Sequence, residues 1–368
     1  MTAKQGVYLP NLNGLRFIAA AMVIVHHIEQ LKSMFSLTNY WGSVPSVFVM
    51  GKLGVVLFFV LSGFLITYLL LKEEQSFGTI SIKKFYIRRV LRIWPLYFLI
   101  VFLGFLVLPN LDFFLLPGFT KSVIYSNWEF KIAGYLLMIP NVILNCFGII
   151  PYASHLWSIG VEEQFYLIWP VLFITFRNNR PLLIACMVLV YFVIDYLVGL
   201  TGNDFVNCGW KSISIIPMAI GALFGIILFK KGLLYRILTK NLMLYVFLLT
   251  GIIGVGCGYS FPFLNWEIYS LIFGVIMLNL SSNQTIPFSL EQKPLKYLGN
   301  ISFGLYMYHP ILIVFTIHLG SFLGLETNWF FYPVTFILTI AISAMSYTYF
   351  EKPFLKYKVQ FSQILSNS

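Results

Sequence analysis

Long uninterrupted apolar runs decide most of what this chain can become. A helix needs about 20 residues to cross the ~30 Å hydrocarbon core of a bilayer. Runs of that kind fall near residues 15–31, 51–71, 93–116, 155–176, 182–200, 212–229, 242–260, 263–280, 299–318 and 329–350. Of the 368 residues, 59% are hydrophobic and 10% charged. A water-soluble globule carries roughly 25% charged residues, so this chain could not clothe itself in water. Disorder requires low hydrophobicity, and an outer-membrane barrel requires ~10-residue alternating strands. Neither pattern is present. The expected fold is all-α, a polytopic integral membrane protein forming one domain over residues 1–368, with the lipid bilayer as its first partner. The first run starts at Arg16 and ends in His26-His27-Ile28-Glu29 without a small-residue cleavage site. It reads as a retained span, not a signal peptide.

One further apolar stretch, 132–150, contains Pro140, Asn141 and Asn145 and stops at Pro151, which suits a lipid-facing helix poorly. Loop charge decides its fate. If it does not cross, almost every lysine and arginine falls on the side of the termini. Only Lys32, Lys52, Lys121, Lys131 and Lys211 then lie opposite. If it crosses, the majority falls outside. The positive-inside rule selects the first arrangement: ten spans, both termini cytoplasmic, and 117–154 as an outer-face segment holding a re-entrant or surface hairpin. Non-helical backbone at membrane depth survives only where protein or a water-filled cavity covers it. The +11 net charge is thereby assigned to topology, and no nucleic-acid partner is expected. The cysteines Cys146, Cys186, Cys208 and Cys257 lie scattered in apolar stretches without paired spacing. They indicate neither a disulfide framework nor a metal site.

Ionisable groups inside a bilayer are costly, and each asks for a reason. Arg16 and His27 lie eleven positions apart, which at ~100° per residue places them on one helix face, ~16 Å apart along the axis. A guanidinium clamps phosphate, and a histidine can act as general base or nucleophile. The bland reading is an interfacial arginine and a hydrogen-bonded core histidine. Arg88 and Arg92 share a face beside Arg89 at the entry to the third span, a phosphate-binding pattern that topology anchoring would also explain. His155 and Glu162, seven apart, are expected on one face near the outer mouth of the fourth span. Glu162 and Glu163 are hard to place against lipid; a structural hydrogen-bond network is the alternative. His309, before Pro310, reads more simply as a packed histidine at a kink.

Taken in order, these segments resemble the membrane acyltransferase family called acyltransferase three. The likeness is carried by Asn13-Gly14-Leu15-Arg16 with His27, by Gly54 to Ile66, by Phe85-Tyr86-x-Arg88-Arg89-x-x-Arg92-Ile93-x-Pro95 and by Leu156-Trp157-Ser158 with Val161 to Tyr166. Ser302 to Tyr306 before His309 and Tyr349 to Phe354 complete it. Each motif alone is degenerate, but together they cover nearly the whole chain. The resemblance implies an enzyme of the cell (inner) membrane that moves an acyl group, commonly acetyl, from cytosolic acyl-CoA to a hydroxyl of an extracytoplasmic or lipid-linked carbohydrate. The family's arginine–ten residues–histidine motif maps onto Arg16 and His27, and its Arg-x-x-Arg motif onto Arg89 and Arg92. Some members carry an additional carboxyl-terminal esterase-like domain; none is expected here.

On this reading CoA phosphates rest on Arg88, Arg89 and Arg92 with Arg16 at the entrance. His27 meets the thioester, Glu162 and His155 serve the acceptor, and Ser62 or the Gly63 backbone helps hold the donor. No metal is required. A secondary transporter or glycolipid flippase is the rival from another class, since buried His and Glu and a re-entrant element would suit one. Its usual pair of related halves is not visible in the sequence.

Overall fold

Apolar runs of this length fold as helices because backbone that cannot reach water must satisfy its N–H and C=O groups within its own segment. The computed structural model describes residues 6–366. A two-residue strand, β1 (Gly6–Val7), leads into α1 (Leu12–Met34), α2 (Pro45–Phe77) and α3 (Ile82–Phe102). Then come α4 (Lys121–Ile124), α5 (Trp128–Leu136), α6 (Pro140–Cys146), α7 (Trp157–Thr175), α8 (Arg180–Leu200) and α9 (Asp204–Lys211). The last third holds α10 (Ile216–Lys230), α11 (Leu233–Leu238), α12 (Asn241–Gly256), α13 (Asn265–Ser282), α14 (Lys293–Asn300), α15 (Ser302–Leu323), α16 (Asn328–Ser346), α17 (Lys352–Gln360) and β2 (Leu365–Ser366).

Every predicted apolar run falls on a helix. Among the described residues, six segments are long and apolar enough to cross a membrane: Pro45–Phe77, Ile82–Asn110, Arg180–Leu200, Asp204–Lys230, Ser302–Leu323 and Asn328–Gln360. The outermost helix, α8, exposes Leu182, Leu189, Val193 and Leu197, an apolar face that suits lipid and not water. In α1, by contrast, the ionised groups turn inward. Glu29 and Lys32 are fully buried and pair at 2.7 Å, and Tyr332 of α16 donates to Glu29 at 2.7 Å.

The stretch 132–150 is not one helix. The chain reverses between α5 and α6 around Met138, whose φ is 61°, and both helices are far too short to cross. Asn141 donates to the Ser212 carbonyl at 3.0 Å and exchanges hydrogen bonds with Gln164 of α7. The polar residues that make this stretch a poor lipid-facing helix therefore fasten it to its neighbours. The sequence gives no sign of a disulfide, yet Cys146 of α6 and Cys208 of α9 are bonded, with Cα atoms 5.7 Å apart. Their separation of 62 residues hides the pairing, because only the tertiary fold lays α6 beside α9. Cys186 and Cys257 are free and exposed.

The central helix is α2, packed by α1, α10 and α13. Its approach to α10 is set by glycines: a Cβ on Gly63 would strike the Met218 backbone carbonyl, and one on Gly221 the Val60 carbonyl. Small residues of this kind let helices meet backbone to backbone where no hydrophobic effect drives them together. Val60 meets Gly221 and Phe64 meets Gly225, so the two helices run parallel, and α9, which leads into α10, lies at the end where α2 begins. At the opposite end β1 and β2 pair in parallel, Gly6 with Leu365 and Val7 with Ser366. Both ends of the described chain therefore meet at one end of the bundle.

Candidate active site

A cavity of about 210 Å³ opens among α1, α2, α3, α7, α15 and α17. Arg16, Arg88, Arg89, Arg92 and Lys358 line it, and among the described residues Glu162 is the sole carboxylate on its wall. Ser62, Ser158, Tyr166 and Tyr306 supply hydroxyls. Residues four apart share a helix face, which is why Arg88 and Arg92 enter together and why Glu162 and Tyr166 do so from α7.

The cations differ in how far their charge is already satisfied. Arg88 pairs with Glu73 at 3.1 Å and donates to the Phe361 carbonyl at 3.0 Å, which ties α3 to α2 and to the chain after α17. Arg16 spends one nitrogen on Asn13 Oδ1 at 2.7 Å. Arg89 packs over the rings of Phe85 and Tyr166 at 5.6 and 5.2 Å, and its buried Nε has no partner among the described residues. Among the described residues, the ion pairs and side-chain hydrogen bonds include none from the Arg92 guanidinium or the Lys358 ammonium. Cations crowded in a partly dry site and left unpaired can give charge-assisted hydrogen bonds to an anion.

On the wall, Tyr166 donates to Glu162 Oε2 at 2.6 Å, and the Ser62 hydroxyl bonds the Tyr166 hydroxyl. Serine, tyrosine and carboxylate thus form one chain facing the cations. Gly63 is not among the lining residues; it faces α10, where a Cβ would meet the Met218 backbone.

The histidines lie beyond Tyr306. Its ring centroid is 5.7 Å from that of His309 and 5.5 Å from that of His155. Its hydroxyl donates to the His155 carbonyl at 2.7 Å and bonds Ser158 at 2.8 Å. His309 Nε2 lies 3.0 Å from His27 Nδ1. The row continues outward from His27 to His26 at 5.0 Å and from His26 to Trp41 at 4.7 Å between centroids. His27 and His155 are therefore not on the cavity wall; Tyr306 joins the wall to them. His155 lies in the 3₁₀ turn Ser154–Leu156 before α7. The seven residues from it to Glu162 therefore do not run along one continuous α-helix. Three participants are absent from the sequence-level set. Lys358 and Tyr306 come from the far end of the chain, and His309 reads alone as a core histidine. An ionisable ring one turn from a tyrosine in an apolar run is the signal that could have raised it.

No cluster of three or more His, Cys, Asp or Glu suited to a metal ion occurs among the described residues.

The family model described as an acyltransferase domain matches residues 9–348. The peptidoglycan O-acetyltransferase OatA of Listeria monocytogenes is 28% identical over 340 residues, covering 84% of this chain and 50% of that protein. The O-acetyltransferase OatA of Staphylococcus aureus is 28% identical over 376 residues, covering 95% of this chain and 57% of that protein. The chain thus spans about half the length of the curated relatives it matches. No solved structure matches.

Proposed function

Because the chain belongs to the acyltransferase-three family, we propose that it is an integral-membrane O-acetyltransferase that takes acetyl from cytosolic acetyl-CoA to a hydroxyl of an extracytoplasmic carbohydrate. The observation that carries this reading is the cavity itself: five cations from three helices, mostly unpaired, with Tyr306 leading from its wall to an imidazole pair. CoA presents three phosphates at one end and a thioester at the other, and a site basic at one end and imidazole-lined beyond matches that order. The relatives named O-acetyltransferase favour acetyl as the group moved, and the one named for peptidoglycan favours an N-acetylhexosamine glycan as acceptor.

In the proposed mechanism Arg16, Arg89, Arg92 and Lys358 hold the phosphates while Ser62 and Tyr166 line the path of the pantetheine arm. The acceptor hydroxyl gives its proton to His27, and its oxygen attacks the thioester carbon. The C–S bond breaks as the new C–O ester forms, and the departing thiolate takes the proton back from His27. General base help of this kind contributes about 10²- to 10⁴-fold. The proposed orientation has ten crossings with both termini in the cytosol. Three features support it: the paired termini beside the arginine-rich start of α3, the positive-inside rule, and the Cys146–Cys208 bond at the other end, since disulfides persist in oxidising compartments.

The test is transfer of label from acetyl-CoA to an N-acetylglucosamine oligosaccharide by the full chain in vesicles. Wild type should transfer, and His27→Ala should fall to background while still inserting and folding. Near-wild-type transfer by His27→Ala would refute the base. Uptake of the oligosaccharide without acetyl-CoA would favour a transporter instead.

A further inference from the structure

Imidazole is a useful base only if its lone pair faces the reaction, and the nitrogen that carries it is fixed by what the other nitrogen touches. His27 Nδ1 is 3.0 Å from the Val23 carbonyl, one turn back on α1, and 3.0 Å from His309 Nε2. A carbonyl oxygen can only accept, so His27 Nδ1 carries the hydrogen. His309 is fully buried, and its Nδ1 lies 2.6 Å from the Tyr306 carbonyl, so it too must be the donor there. Neutral His309 consequently holds its lone pair on Nε2, aimed at the His27 N–H. Two acceptors from two helices grip one hydrogen, and the His27 lone pair is left on Nε2.

We infer that His309 is a positioning residue that acts through His27. It fixes the Nδ1–H tautomer and the ring plane, and its lone pair accepts from the imidazolium formed when His27 takes the acceptor's proton. The Val23 carbonyl alone would set the tautomer but would leave the ring free to swing about a single contact on its own helix. The second contact, from α15, removes that freedom. His309 lies outside the cationic cavity, so its effect falls on turnover and not on the donor's phosphates. The inference rests on His27 being the base.

The test uses the full chain in vesicles with labelled acetyl-CoA and the N-acetylglucosamine oligosaccharide, comparing His309→Phe, His309→Asn and His309→Gln. Glutamine places an acceptor near the position of Nε2 and can meet the His27 N–H. Asparagine reaches only as far as Nδ1 and can meet the Tyr306 carbonyl alone. A lost hydrogen bond to a charged group corresponds to about 10- to 100-fold. His309→Phe and His309→Asn should lower kcat by that factor with KM for acetyl-CoA within about twofold of wild type, and His309→Gln should recover most of the loss. If His309→Phe fails to insert, the Asn–Gln comparison stands by itself. Unchanged kcat in His309→Asn, equal losses in Asn and Gln, or a KM rising in step with the loss of kcat would each overturn the positioning role. An active His27→Ala protein would instead remove the base itself, so the two failures are distinguishable.

Discussion

Replacing Arg89 by glutamine is the sharpest probe of the basic cavity, because its neighbour Arg88 provides the control. Both arginines line the cavity, but Arg88 is already neutralised by Glu73, whereas Arg89 stands against aromatic rings with an unpartnered Nε. A unit charge ~4 Å from a phosphate oxygen interacts by about 4 kcal/mol at an effective dielectric of ~20. Part of that offsets desolvation, leaving about 1.5–3 kcal/mol for a hydrogen bond to a charged group. At 1.4 kcal/mol per decade, Arg89→Gln should weaken acetyl-CoA binding roughly 10- to 100-fold while hardly moving thermal stability. Arg88→Gln should do the reverse. It leaves Glu73, 3% exposed, without its cation, a loss of about 3 kcal/mol or more from folding. Calorimetric titration of purified protein with acetyl-CoA, set beside melting curves in the same detergent, reads both quantities. Raised salt should weaken wild-type binding more than that of Arg89→Gln. Equal affinity in Arg89→Gln and wild type, with a large loss in Arg88→Gln, would refute the reasoning, because the pair would then be anchoring the loop and not receiving an anion.

Other expectations concern the frame and the base. Cys146→Ser should lower the melting temperature by an amount corresponding to at most about 4 kcal/mol for a closed loop of this length, and dithiothreitol should do the same to wild type; identical melts would show that α6 and α9 are held by packing alone. Gly63→Ala should destabilise by about 1–3 kcal/mol as the new methyl forces α2 from α10, seen as a lower melting temperature, and an unchanged melt would mean that the helices yield easily. Transfer by His27→Ala and the kcat split among the His309 variants complete the set.

What the sequence reveals here follows the range of the forces involved. Apolar length is local, so the long apolar runs can be placed on helices while the short helices between them cannot, and Pro140, Asn141 and Asn145 mark the interrupted segment because their polar groups conflict with lipid. Spacing along one helix is local too, which is why Arg88 with Arg92, and Arg16 in the first span, could be singled out. Contacts between distant segments are not local. Lys358 reaches Arg16 only because the two ends of the chain pair, and Cys146 reaches Cys208 only because two short helices stack. His309 looked ordinary because its partner, His27, lies 282 residues away. The packing of Gly63 against α10 is hidden for a related reason: a glycine beside a ligand and a glycine beside another helix are identical until the neighbour is known.

That glycine contact limits how the cavity can respond to a guest. With backbone against backbone, α2 and α10 have no side-chain cushion to compress and act as a stiff anvil behind Ser62. Across the cavity from them stand α3 and the segment after α17, which meet it through side chains. Those two are tied to each other by a polar link, Arg88 to the Phe361 carbonyl, and not by backbone packing.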